Sequence, residues 1–172
     1  MIVNIYLASS IKGIRRQDGV VAFILEAEGK ENKTLTQFGR VEQVTENESY
    51  LRAFKYALKR INTRCELVIW ADNYYMANAF TQGWLYRWEK NGWQNAKGKE
   101  VAGRADWAEI AERLGGTVPD FQIGRHHTFK EWMEKEVAKR AEKIKRERNP
   151  NHGKEHHTAR KGQGVPAVQA GS

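Results

Sequence analysis

The run CELVIWAD, residues 65–72, constrains what this chain can fold into more than any other stretch. It is short and nearly continuous in apolar residues, so as a strand it needs cover on both faces. That is the situation of a central parallel strand in a sheet with helices on both sides. No apolar run in the chain approaches the roughly 20 residues that a membrane span requires.

The segments around it supply the rest of such a sheet. IVNIYL (residues 2–7) is rich in β-branched and aromatic types and reads as a strand. Gly13, Asp18 and Gly19 then mark a turn, VVAFILEAEG reads as a second strand, and KTLTQFGRV alternates well enough to be a third. At TENESYLRAFKYALKRI the period changes. Tyr50, Leu51, Phe54, Ala57, Leu58 and Ile61 are spaced for one helix face, and Thr45 with Glu48 forms the pattern of a capping box. After the strand at 65–72, NYYMANAFTQGWLYRW reads as one helix, EKNGWQNAKGKEVAGRA as a basic, glycine-containing excursion and DWAEIAERL as an amphipathic helix. GGTVPDFQIGRHH holds a last strand and loop, and TFKEWMEKEVAKRAEKIKRER reads as a charged helix with a second capping box at Thr128 and Glu131. The order predicts an α/β domain, a mixed sheet flanked by helices, over residues 1–148. Residues 149–172, almost without large apolar side chains, are expected to be a basic disordered tail.

A net charge of +8 favours polyanionic partners, because Lys and Arg gain affinity for nucleic acid by releasing condensed counterions. Cys65 is the only cysteine, which excludes an intrachain disulfide and a Cys-rich zinc site. The opening MIVNIYLASS has no charged leader before an apolar stretch, so the expectation is an intracellular, cytoplasmic protein with no membrane partner.

Residues 65–114 resemble the type 1 ribonuclease H family. CELVIWADNYYM looks like the family's fourth strand with its metal-binding aspartate, here Asp72, followed by a helix. WLYRWEKNGWQNAKGKEV followed by DWAEIAERL is similar to the basic, hybrid-gripping protrusion of bacterial members, with Trp84, Trp88 and Trp93 at the family's spacing. The weaker match from Ile5 to Leu58 keeps the element order, so the resemblance covers about residues 2–142. It implies the ribonuclease H-like fold: a five-stranded mixed sheet, three antiparallel strands followed by two parallel ones. It also implies two divalent cations, Mg²⁺ or Mn²⁺, held by four carboxylates, one activating water and the other stabilising the leaving oxygen of an RNA phosphate.

The carboxylates implied by the resemblance are largely replaced in this chain. Ala8 stands at the first acid, Tyr50 at the second, and Lys135 best matches the fourth by its apolar neighbours, with Glu131, Glu134 and Glu136 as further candidates in the last helix. Glu131 is taken as the metal-ligand candidate beside Asp72. Glu46 or Glu48, one turn earlier than Tyr50, offers a substitute acid, and Ala8 is also what an engineered inactivating substitution would leave. His126 and His127 occupy a position similar to the family's mobile histidine loop, with Asp72 and His126 the candidate catalytic pair. Asn47 matches a residue that contacts the duplex in the minor groove, where the 2′-hydroxyl distinguishes RNA.

Arg87, Lys90, Lys97, Lys99 and Arg104 are candidate phosphate contacts, while the three tryptophans are expected to pack the protrusion together. The expected function is an RNase H-like protein that binds RNA/DNA hybrid or duplex with its nuclease activity lost or impaired. An active ribonuclease H with rearranged or engineered acids, and a protein-interaction module on the same scaffold, are the alternatives.

Overall fold

The computed structural model describes residues 1–148; the expected tail at 149–172 lies outside the described residues. The elements follow in the order β1 (Ile2–Ser9), β2 (Gln17–Ala27), β3 (Lys33–Val44), α1 (Glu46–Leu58), β4 (Glu66–Ala71), α2 (Tyr74–Thr81), α3 (Trp84–Lys90), α4 (Arg104–Leu114), β5 (Asp120–Ile123) and α5 (Lys130–Arg148). The strands form one sheet in the order β3-β2-β1-β4-β5. β1 pairs antiparallel with β2 and parallel with β4, β2 pairs antiparallel with β3, and β4 pairs parallel with β5. The expected sheet of three antiparallel strands followed by two parallel ones is therefore the one observed. Among the described residues no helix is long and apolar enough to cross a membrane.

Both faces of the middle strands are buried, which is why their sequences are nearly continuous in apolar residues. Val3, Ile5 and Leu7 of β1, with Val21, Phe23 and Leu25 of β2, pack under Leu51, Phe54 and Leu58 of α1 and under Trp107 and Ile110 of α4. The alternate residues Tyr6, Ala8, Val20, Ala22 and Ile24 face the other way and meet Met133 and Val137 of α5. One helix, α5, thus closes the second face, and its first turn comes to the carboxyl ends of β1 and β4.

Local chemistry explains the element boundaries. Thr45 Oγ1 accepts the Glu48 N–H at 3.2 Å and the Glu48 carboxylate accepts the Thr45 N–H at 3.0 Å, so the first capping box forms as expected. The second expected box does not form. α5 starts at Lys130, and His127 takes the capping role: its Nδ1 accepts the Phe129 N–H at 3.2 Å and its carbonyl accepts the Lys130 N–H. The single helix expected over residues 73–88 is two helices, α2 and α3, because Gly83 between them adopts φ +74°, a left-handed conformation that a continuing helix does not allow.

The protrusion is packed by aromatic rings, as expected of its tryptophans. Trp84, Trp88 and Trp93 lie against the core, and Trp88 sits 6.2 Å from Trp84 and 5.7 Å from the fully buried Trp107, centroid to centroid. The protrusion is anchored by charge as well. The buried Asp106, at the start of α4, receives Arg52 Nε at 3.1 Å and Lys55 Nζ at 2.7 Å, both from α1. Removing that carboxylate leaves two partly buried cations uncompensated. Asp106→Ala is therefore expected to lose about 3 kcal/mol of stability, measured by urea denaturation, with a much smaller loss when Arg52 is replaced by Met in the same chain.

Candidate functional site

The carboxyl ends of β1 and β4 meet the first turns of α1 and α5 at a narrow cleft lined by Ala8, Ser9, Lys12, Tyr50, Asp72, Arg125, His127, Lys130 and Glu134. The β1–β4 register pairs Tyr6 with Trp70, and two residues further on it sets Ala8 beside Asp72. Asp72 is just past the end of β4, and the cap of α2 is its neighbour Asn73, whose side chain accepts the Met76 N–H at 3.0 Å. Asp72 is thus left free of helix capping. It pairs instead with Lys130, whose Nζ lies 3.2 Å from Oδ1 and 3.1 Å from Oδ2.

Two of the other lining residues carry no negative charge. Ala8 offers a methyl group. Tyr50 is buried, and that burial, reinforced by Asp72, Glu46 and Glu134, pushes its hydroxyl well above the ordinary tyrosine value and keeps it neutral. The cavity is about 20 Å³, room for about one water. Around its mouth three cationic side chains, Lys12, Arg125 and Lys130, face two carboxylates, Asp72 and Glu134.

His127 is built into the wall. Its ring lies 4.5 Å from Tyr6 and 5.8 Å from Trp70, centroid to centroid, and its Nδ1 is committed to the Phe129 N–H. Burial first, then the charge of Lys130, lowers its pKa from 6.5 to about 4 despite the opposing pull of Asp72.

A sequence model of the RNase H family matches residues 2–148. The chain belongs to the RNase H family. Ribonuclease H of Thermus thermophilus is 34% identical over 84 residues, covering 49% of this chain and 51% of that protein, so the chain spans about half the length of that curated relative. Among solved structures, LC9-RNase H1, described as a type 1 RNase H with the type 2 active-site motif, superposes with a TM-score of 0.65. It is 21% identical, and the match covers 81% of this chain and 72% of that one. A foamy viral protease-reverse transcriptase in complex with RNA/DNA hybrid superposes with a TM-score of 0.60 at 15% identity, covering 83% of this chain and 19% of that one. At such identities the structural likeness establishes the RNase H fold alone.

RNase H chemistry uses divalent metal, and the donor set in this cleft does not fit a pair of such ions. Among the described residues, His, Cys, Asp and Glu form no group of three or more with metal-binding geometry. The two carboxylates lining the cleft are Asp72, already bonded to an ammonium, and Glu134. Mg²⁺ demands near-octahedral oxygen coordination, and a pair of such ions needs more anionic oxygen than Asp72 and Glu134 supply.

Several of the expected residues lie outside the cleft lining. Glu131 is exposed and does not line the cleft, and neither does Lys135; Glu134 is the α5 acid that does. Met133 and Val137, four residues apart and buried, fix the inward face of α5. Lys130 precedes Met133 by three residues and so falls on that face, whereas Glu131 and Lys135 point away. That i, i+3, i+4, i+7 stripe was the available signal for Lys130. His126 is exposed beside the cleft and outside its lining, and the histidine that enters is His127. The substitute acids do not swing in either: Glu46 accepts the Gly13 N–H at 2.8 Å, and Glu48 is held by Arg16 at 2.7 Å and by the capping box.

The binding candidates are exposed and outside the cleft lining, those on the protrusion well away from it and Asn47 beside it. Asn47, on the first turn of α1, accepts a 2.9 Å hydrogen bond from Asn73 Nδ2, which places both amides at the cleft rim. Arg87 and Lys90 are on α3, with Lys90 5.0 Å from the centroid of the Tyr86 ring, and Arg104 opens α4 beside Glu100. Lys97 and Lys99 flank a turn in which Asn95 Oδ1 accepts both of their N–H groups.

The depressed His127 value fixes a pH dependence. Between about 4 and 6.5 the unfolded chain carries a proton on this residue that the native chain does not, so the stabilisation is full above 6.5 and fades as pH falls toward 4. Thermal melts from pH 7 to 4.5 are expected to fall more steeply for the wild type than for His127→Gln. An NMR titration should place the His127 midpoint near 4.

Proposed function

We propose that this chain is an RNase H-like protein that binds RNA/DNA hybrid or duplex and whose metal-dependent nuclease activity is lost or strongly impaired. The observation that carries this reading is the Lys130 ammonium 3.1 Å from Asp72, on the one carboxylate that remains at the ends of β1 and β4. An ammonium fixed there supplies a positive charge but no water of lowered pKa and no open coordination position, and those are what the hydrolysis requires. Ala8 and the neutral Tyr50 take the place of two of the four anionic ligands that the resemblance implies.

Binding has separate support. The exposed Arg87, Lys90, Lys97, Lys99 and Arg104 on the protrusion, with Asn47 at the rim, are independent of the cleft's chemistry. A family fold that has exchanged its ligands retains these groups, and phosphate contacts of this kind dominate affinity for a duplex.

The reading is tested with a labelled RNA/DNA hybrid in Mg²⁺, in Mn²⁺ and in chelator, beside Asp72→Asn. Binding that weakens steeply with salt and no cleavage under any condition is the expected result. Cleavage that the chelator and Asp72→Asn both abolish would instead establish an active ribonuclease H.

Restoring activity should need three changes. Ala8→Asp with Tyr50→Glu leaves the ammonium of Lys130 on Asp72, so the double variant is expected to stay inactive or nearly so. Adding Lys130→Ala should raise Mg²⁺-dependent cleavage at least roughly tenfold above the double variant, equivalent to about 1.4 kcal/mol of barrier. Thermal melts of both variants check that each is folded.

A further inference from the structure

We propose that the mouth of the cleft is a metal-independent seat for one backbone phosphate of a bound nucleic acid, held by Lys12 and Arg125 with Lys130 behind them. This rests on the nucleic-acid-binding reading above and says where, and by what chemistry, part of that binding is done. Where the resemblance implies a set of carboxylates that attracts cations, the cleft has three cationic heads against two carboxylates, a local balance of +1.

The three cations are not equivalent. Lys130 is partly buried and spent on Asp72, so it neutralises the aspartate that would otherwise repel a phosphate. Lys12, in the β1–β2 turn, and Arg125, in the loop between β5 and α5, are exposed at the mouth. Neither forms an ion pair with a carboxylate among the described residues, although most acids nearby are engaged: Glu46 with the Gly13 N–H, Glu48 with Arg16, and Asp72 with Lys130. Glu134 is the acid left on the rim.

Lys12 and Arg125 reach the cleft from two different loops, so an anion held by both rests across its opening. Arg presents a planar fork suited to two phosphate oxygens and Lys a point charge, a combination that needs no divalent cation to bridge it. His127 contributes no charge there, because its Nδ1 is bonded to the Phe129 N–H and its pKa lies near 4. The same site therefore holds a phosphate equally well with and without Mg²⁺.

The test measures hybrid affinity against salt for the full chain, in chelator and in Mg²⁺ at matched ionic strength. The variants are Lys12→Gln/Arg125→Gln at the mouth and Lys97→Gln/Lys99→Gln on the protrusion, with melts confirming that each folds. The wild type is expected to bind equally in both buffers. The mouth variant should bind about tenfold more weakly, with a salt slope shallower by about 0.9, the share that a single neutralised phosphate contributes.

A mouth variant indistinguishable from wild type while the protrusion variant weakens overturns this inference and leaves the nucleic-acid-binding reading standing. Binding abolished by chelator overturns it too, since metal would then be holding the phosphate. A wild type that binds no hybrid or duplex in either buffer overturns both.

Discussion

β1 is hydrogen-bonded along both edges and covered on both faces, and the other elements take their places from it. Its antiparallel bond to β2 starts the meander that ends at the β3 edge, and its parallel bond to β4 obliges the chain to cross over through α1. Its odd-numbered side chains settle α1, against which α4 packs, and its even-numbered ones settle α5. Because β1 and β4 run parallel, their carboxyl ends open side by side, and that is where Ala8 and Asp72 meet. The cleft is thus a consequence of sheet direction, and whatever residues occupy those two ends inherit its position.

What the residues do there is a separate matter from the fold. Clustered carboxylates at the ends of β1, α1 and β4 repel one another unless cations draw them together. In this chain the ends are tied by direct bonds. Ser9 and Ser49 share a buried 2.7 Å hydrogen bond between β1 and α1, Asn73 bonds Asn47 across the rim, and Lys130 bonds Asp72 between α5 and β4. The cleft holds its shape with the charges and hydroxyls that the chain itself supplies.

The fold was legible in the sequence because its signals are local and mutually consistent. The switch from strand-like to helical period at Thr45, the capping box there, and the doubly buried run at 65–72 each point to one arrangement. The site was less legible. Asp72, Ala8 and Tyr50 line one cleft, since strand ends and a capped helix leave little freedom of register. α5 is different. The Thr128–Glu131 pattern suggests a helix start that the chain does not use, because His127 caps it through its ring nitrogen. A register read from Thr128 points to Glu131, whereas the buried pair Met133 and Val137 points to Lys130 and Glu134. Arg125 and Lys12 come from loops, and nothing periodic in their neighbourhood announces that they share a cleft.

The ammonium on Asp72 also accounts for the behaviour of its neighbours. A positive charge fixed at the head of α5 makes a second one nearby costly, and Lys130 is the largest contribution after burial in holding His127 neutral. A neutral His127 is in turn what allows Nδ1 to accept the Phe129 N–H and start the helix that carries Lys130. The cap and the ion pair therefore support each other. Replacing Lys130 in order to recover metal chemistry relaxes the restraint on His127, so the two cannot be engineered independently. The imidazole in the cleft wall stays out of the charge balance at neutral pH.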